Sequence, residues 1–151
     1  MPVYKKLTPN LLVANVERSL AFYVDTLGFA RGMTVPDASP FVFASVVSGD
    51  LEIFFNDAAS AEKEYPAFAG KPIGATATMF IELAEGGQEG QGGQGEKSEA
   101  AGIDALYHRL QGTVTIAMPI ATQFYGMREF AIVDPDGYVI TFAQRVSGDQ
   151  G

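Results

Sequence analysis

Cysteine is missing from this chain altogether, and histidine occurs once, at His108. The first absence excludes a disulfide framework, thiolate chemistry and any thiolate metal site. The second leaves no histidine cluster from which a zinc, nickel or iron centre is usually built. No apolar run approaches the roughly 20 residues that a membrane-spanning helix requires, so no membrane association is expected. The opening MPVYKKLTPN has two lysines with no apolar stretch behind them, unlike a secretory signal. With the missing cysteine, this points to the cytoplasm. Basic residues are scarce as well: 10 Lys and Arg stand against 18 Asp and Glu, a formal net charge of −8. Nucleic-acid binding draws on clustered lysine and arginine through counterion release, so no nucleic-acid partner is expected. The acidity suits a cationic ligand and equally serves solubility.

What is present is a duplicated pattern. With 151 residues, 47% of them hydrophobic, the chain is long enough for one ordinary core in a single domain. A short apolar strand, Leu11 to Ala14, leads to Asn15, a good helix N-cap, with Glu17 well placed in the first turn. Val16, Leu20, Tyr23 and Leu27 recur at helical spacing until Gly28 stops the helix. Further on, the strand Thr78 to Leu83 is followed by Ile103, Leu106, Tyr107 and Leu110 at helical spacing, ended by Gly112. Val16, Leu20 and Tyr23 match Ile103, Tyr107 and Leu110 at one constant offset. β-rich sequence follows each helix: FVFASVV and LEIFF around Ser48-Gly49-Asp50, then REFAIV and YVITFA around Asp134-Pro135-Asp136-Gly137. The last is a well-specified turn, with proline at its second position and glycine at its fourth. Two β-α-β-β-β modules are predicted, about 1–66 and 73–147, joined near Ala58 to Pro72. Each leaves one sheet face uncovered, so the two should pack and enclose a cleft.

One segment breaks the symmetry. Residues 85–102, EGGQEGQGGQGEKSEAAG, carry too little apolar surface to join a core and are expected to form a flexible, solvated insertion. GQGGQG is not a phosphate loop, because Glu96 separates the last glycine from Lys97-Ser98 and the segment does not sit at a tight strand-to-helix turn.

The segments LLVANVERSLAFYVDTLGF, LEIFFND and YGMREFAIVDPDGYVITFAQ resemble the glyoxalase/bleomycin resistance/dioxygenase superfamily, over nearly the whole chain except the insertion. The resemblance implies an α+β fold: two tandem βαβββ modules forming a cupped, partly open, barrel-like sheet with helices outside, usually in a homodimer. The shared elements build scaffold, and function must be argued from the pocket. Metal-using relatives draw ligands from four positions, which by resemblance fall at Thr8, Glu52, Thr78 and Thr141. A neutral threonine hydroxyl is a poor ligand for such metals, so neither metal nor other cofactor is expected.

Candidate ligand-binding residues follow. In DLEIFF, Glu52 and Phe54 share one strand face and Leu51, Ile53 and Phe55 the other. The resemblance turns Glu52 inward. It is read as a general base or an anchor for a cation, against a water-facing residue or an ion pair with Arg128. Asn56 matches the asparagine that follows the metal-binding glutamate in glyoxalase-like sequences, though it also suits a strand end. Of Phe41, Phe43, Phe54, Phe80, Phe124, Tyr125, Phe130 and Phe142, most should be core, while Phe54, Phe124 and Tyr125 are the better pocket residues. At most one of Arg128 and Glu129 faces the cleft, because they are adjacent on a strand. His108 lies off the apolar stripe of its helix and is read as solvent-facing. The preferred function is a small-molecule-binding protein that sequesters a drug or metabolite, cationic or aromatic, in a metal-free cleft. The alternatives are a glyoxalase- or dioxygenase-like lyase or oxidoreductase, and a metal-free enzyme with Glu52 as general base.

Overall fold

The computed structural model describes residues 1–74, 76–84 and 102–146. The flexible insertion expected over 85–102 therefore falls, Gly102 apart, outside the described residues. By its contacts the chain divides into two units, Met1–Ala75 with Pro135–Gly137, and Thr76–Asp134 with Tyr138–Gly151.

The first unit runs β1 (Asn10–Val13), α1 (Val16–Ala21), β2 (Ala30–Val35), β3 (Phe43–Ser48) and β4 (Leu51–Asp57). Its sheet has the order β1-β4-β3-β2, with β1 parallel to β4 and the remaining pairs antiparallel. The two-residue turn Gly49-Asp50 suffices for the antiparallel β3–β4 pair, whereas parallel strands need a longer crossover. Helix α1 begins where the Asn15 side chain accepts from the Arg18 amide at 2.8 Å, satisfying one of the donors that a helix start leaves open. A single π-helical stretch, Phe22–Thr26, continues it. The chain then leaves through Gly28 at φ +86, a conformation only glycine takes without penalty. Val16, Leu20 and Tyr23 are buried, as their spacing predicts, beside Val46, Ile53 and Phe55. The Tyr23 and Phe55 rings lie 4.8 Å apart. Burying each such ring contributes about 1.5–3 kcal/mol.

The stretch near Ala58 to Pro72, read as the join between modules, belongs to the first unit and carries a helix. Asp57 ends β4 and caps α2 (Ala58–Glu64), its carboxylate accepting from the Ser60 amide at 3.0 Å and hydroxyl at 2.9 Å. A 3₁₀ turn, Pro66–Phe68, follows.

The second unit repeats the plan: β5 (Thr78–Glu82), α3 (Ile103–Leu110), β6 (Thr115–Thr122), β7 (Met127–Val133) and β8 (Val139–Arg145). Its sheet has the order β5-β8-β7-β6. The duplication read from the sequence is thus the same β-α-β-β-β topology built twice, an α+β fold of two four-stranded sheets, neither closed into a barrel. Ile103 and Leu110 are buried, and Tyr107 packs its ring 5.0 Å from Phe130, which lies 5.4 Å from Phe142. Gly102 gives α3 no capping side chain. Instead the Ile103 amide donates to Gln144 Oε1 at 3.0 Å, and Gln144 Nε2 donates to the Ala84 carbonyl at 3.3 Å.

The Asp134-Pro135-Asp136-Gly137 turn forms as predicted, with Gly137 at φ +94. Asp136 does more than turn the chain. Its carboxylate accepts from the Ala14 amide at 3.0 Å, Arg18 Nη2 at 2.9 Å and the Ser19 hydroxyl at 3.2 Å, which places this turn with the first unit. No helix among the described residues is long and apolar enough to cross a membrane.

Candidate functional site

Strand alternation decides what each sheet carries on the face turned away from its helix, its open face. On β4, Ile53 and Phe55 turn to the helix side and are fully buried, leaving Glu52, Phe54 and Asn56 half-buried on the other. Register brings Asn56 beside Phe43 and Leu12, and Phe54 beside Ser45 and Asn10. The Phe43 and Phe54 rings meet edge-on, 5.1 Å between centroids. The Asn56 amide donates to the Asn10 side-chain oxygen. The Phe54 amide continues the ladder to the Pro9 carbonyl at 2.9 Å, and Thr8 lies just ahead of the paired strand. The partner of Glu52 is Lys6, Nζ to Oε1 at 2.8 Å, and not Arg128.

On the second sheet, Thr78, Phe80 and Glu82 of β5 share the open face with Thr141 and Ala143 of β8 and with Glu129 and Ala131 of β7. Thr141 lies across from Phe80, whereas Thr78 lies across from Val139. These two of the four positions named by resemblance are therefore offset by one row of that face. Phe80 is 56% exposed and Phe124 98%. Tyr125 Oη donates to Glu129 Oε2 at 2.8 Å. That bond, then burial, then the carboxylate's charge raise the Tyr125 phenol above its ordinary range.

Arg128 turns the other way, onto the helix side with Phe130 and Ile132. Its guanidinium forks onto Asp104 of α3, Nε to Oδ2 at 3.0 Å and Nη2 to Oδ1 at 2.8 Å, with Nη1 to Thr122 Oγ1 at 3.0 Å. The hydrogen bonds from Arg128 hold the Asp104 carboxyl below the usual carboxylate range, and Asp104 in turn raises the Arg128 guanidinium. So Glu129, and not Arg128, is the charged residue of β7 on the open face. The signal was available: in MREFAIV, Arg128 alternates in phase with Phe130 and Ile132, the residues with most reason to be covered by a helix. His108 is exposed, its Nδ1 2.8 Å from the Asp104 carbonyl oxygen.

The donor chemistry of these faces does not fit a catalytic metal. Of the four positions named by resemblance, Thr8, Thr78 and Thr141 offer only neutral hydroxyls, and Glu52 is already paired with Lys6. No group of three His, Cys, Asp or Glu among the described residues is arranged to hold a metal ion. What the faces do offer is apolar ring surface next to carboxylates, a combination suited to organic molecules.

Comparison with known proteins agrees in scale with this geometry. Residues 7–142 match the model of the Glyoxalase/Bleomycin resistance protein/Dioxygenase superfamily. Bleomycin resistance proteins of Geobacillus stearothermophilus and Staphylococcus aureus are 28% identical to the chain over 140 residues, 91% of this chain and 95% of theirs. Among solved structures, the antibiotic binding protein TnmS3 of Streptomyces sp. CB03234 superimposes with a TM-score of 0.66 at 21% identity, covering 96% of this chain and 98% of its own. The bleomycin-binding protein of Streptomyces verticillus, complexed with copper(II)-bleomycin, does so with a TM-score of 0.55 at 23% identity, covering 99% and 100%. At these identities the structural matches establish the fold.

Proposed function

Because the chain belongs to the glyoxalase/bleomycin resistance protein/dioxygenase superfamily, we propose that it binds a small organic molecule without a metal and sequesters it, in the manner of a drug-binding protein. The observation that carries this reading is the donor set: threonine at three of the four positions where metal-using relatives place ligands, and at the fourth a glutamate, Glu52, already paired with Lys6. Support comes from relatives named bleomycin resistance proteins and from a relative of like fold that holds copper(II)-bleomycin. The binding surfaces are the open sheet faces, with Phe54 and Asn56 beside Glu52 in one unit, and Phe80, Thr141 and Tyr125 in the other. Ring surface supplies apolar burial of the ligand; carboxylates select its charge. The proposal includes a cytoplasmic homodimer that confers drug tolerance, since exposed sheet edges favour pairing.

The test is thermal unfolding with metal-free bleomycin, copper(II)-bleomycin and a panel of aromatic antibiotics, repeated with a chelator. A ligand present at 100 times its Kd should stabilise by about 2.7 kcal/mol, a rise of roughly 5–10 °C for a chain of this size. Chelator should leave the unliganded protein's Tm unchanged. Stoichiometric zinc, nickel or iron after native purification, with a sharp Tm loss on chelation, would replace this reading with a metalloenzyme.

A further inference from the structure

Glu129 is an unusual carboxylate for its surroundings. It is 4% exposed, yet among the described residues its one hydrogen bond comes from Tyr125 and no cation lies within ion-pair distance. An ionised carboxylate has room for about four hydrogen bonds, and burying one without a counter-charge is unfavourable. Of the other acids, Asp136 has Arg18, Asp104 has Arg128 and Glu52 has Lys6, while Asp134, equally buried, accepts from the Tyr138 amide at 3.0 Å.

The same-face neighbours of Glu129 are small. In its cross-strand row the neighbour on β8 is Ala143, and beyond it on β5 lies Glu82. The next row of the same face carries Ala131, Thr141 and Phe80. Small side chains thus separate the two carboxylates, with Phe80, more than half exposed, in the next row. From strand spacing and rise, the Cα atoms of Glu129 and Phe80 are about 12 Å apart. That span suits one aryl group joined to one cationic group.

We propose that the open face of the second sheet is a binding slot for an aryl-bearing monocation, a protonated amine or amidinium, with Glu129 as the anion that receives the cation and Phe80 as the wall for the ring. Tyr125 is a positioning residue: its hydroxyl holds one carboxylate oxygen and leaves the other for the ligand. The inference rests on the small-molecule-binding reading above and names the ligand's chemistry within it. The competing account is purely structural, with the Tyr125–Glu129 bond pinning the turn between β6 and β7.

A charge-matched pair of probes separates the two. 2-Naphthylmethylammonium and 2-naphthylmethanol share the ring and differ in charge. Titrated calorimetrically into the full chain at up to millimolar concentration, the ammonium should bind at least about tenfold more tightly than the alcohol. Glu129→Gln keeps the shape and removes the charge, and should erase that preference while changing the alcohol less than about twofold. Phe80→Ala should weaken both probes. Tyr125→Phe retains the carboxylate and should retain the preference. A Glu129→Gln protein that keeps the preference, or loses both probes equally, overturns the proposal. Should that variant not fold, carboxyl-labelled glutamate in the wild-type chain answers the same question: the Glu129 resonance must move with the ammonium and not with the alcohol. If neither probe binds but a neutral member of the antibiotic panel still raises Tm, the anchor falls and the binding function stands. If nothing in either set binds, both fall.

Discussion

Replacing Asp136 by alanine should unfold the chain more readily than any change to its surface charges. The side chain is 2% exposed and answers three donors: the Ala14 amide at 3.0 Å, Arg18 Nη2 at 2.9 Å and the Ser19 hydroxyl at 3.2 Å. Hydrogen bonds to a charged group contribute about 1.5–3 kcal/mol each, and a buried donor left alone costs about 1–3 kcal/mol. These contributions overlap. Arg18 is half exposed and regains water, which lowers its share. A loss of about 3 kcal/mol is expected for Asp136→Ala, and about 1–2 kcal/mol for Asp136→Asn, which can still accept from the Ala14 amide. For a chain of this length 3 kcal/mol corresponds to roughly 6–12 °C in Tm. Urea unfolding followed by circular dichroism measures it, with an unchanged m-value showing that the same surface is exposed. A double-mutant cycle with Arg18→Met isolates the ion pair, with an expected coupling below about 1 kcal/mol. If Asp136→Ala shifts stability by less than about 1 kcal/mol, the turn is not a structural part of the first unit and the reasoning fails.

The Asp104–Arg128 pair predicts a pH signature. Folding depresses the Asp104 carboxyl, so its contribution is complete above the ordinary carboxylate value and disappears as pH falls through the depressed folded one. With Asp104 54% exposed, that contribution should stay below about 1 kcal/mol. The Tm gap between wild type and Arg128→Met should therefore narrow from neutral pH toward pH ~2, and a gap that widens on acidification refutes the assignment. Gly74 and Gly28 both have positive φ, but a Cβ at Gly74 would lie 2.4 Å from the Asp136 carbonyl oxygen, whereas one at Gly28 would meet open space. Gly28→Ala should cost about 1–2 kcal/mol for backbone conformation alone. Gly74→Ala should exceed it by at least about 1 kcal/mol, and equal denaturation midpoints would show that the close approach is relieved elsewhere.

Local chemistry carried far in the sequence. The Asn15 cap, the exit through Gly28, the buried stripe of Val16, Leu20 and Tyr23 and the alternation of Glu52 with Ile53 each depend on residues within a turn or two of one another. The duplicated order of elements followed from these. Long-range choices were not legible in the same way. That Thr141 lies across from Phe80 and Thr78 across from Val139 is decided by the β5–β8 register. An ion pair with Arg128 was one alternative for Glu52, but the cation that reaches it is Lys6, in the irregular segment ahead of β1. Nor did anything near Asp136 announce that its carboxylate would serve the start of α1. The facing of Arg128 and Glu129 lies between these cases: period-two alternation with Phe130 and Ile132 contains the answer.

Gln144 has a consequence for what this chain can accommodate. Its one amide donates to the carbonyl of Ala84, where the chain leaves the sheet, and accepts from the amide of Ile103, where α3 begins. The departure and return of the intervening stretch are thus moored to a single side chain on β8, and α3 draws its starting point from a residue 41 positions later. Sequence on the approach to the helix is relieved of supplying a cap, which is why a glycine can stand at position 102. Closing a chain on two fixed moorings costs entropy that grows slowly with length, roughly 0.6 kcal/mol per doubling. The fold has in effect a built-in port, at which new sequence can be tried without renegotiating the sheet on either side.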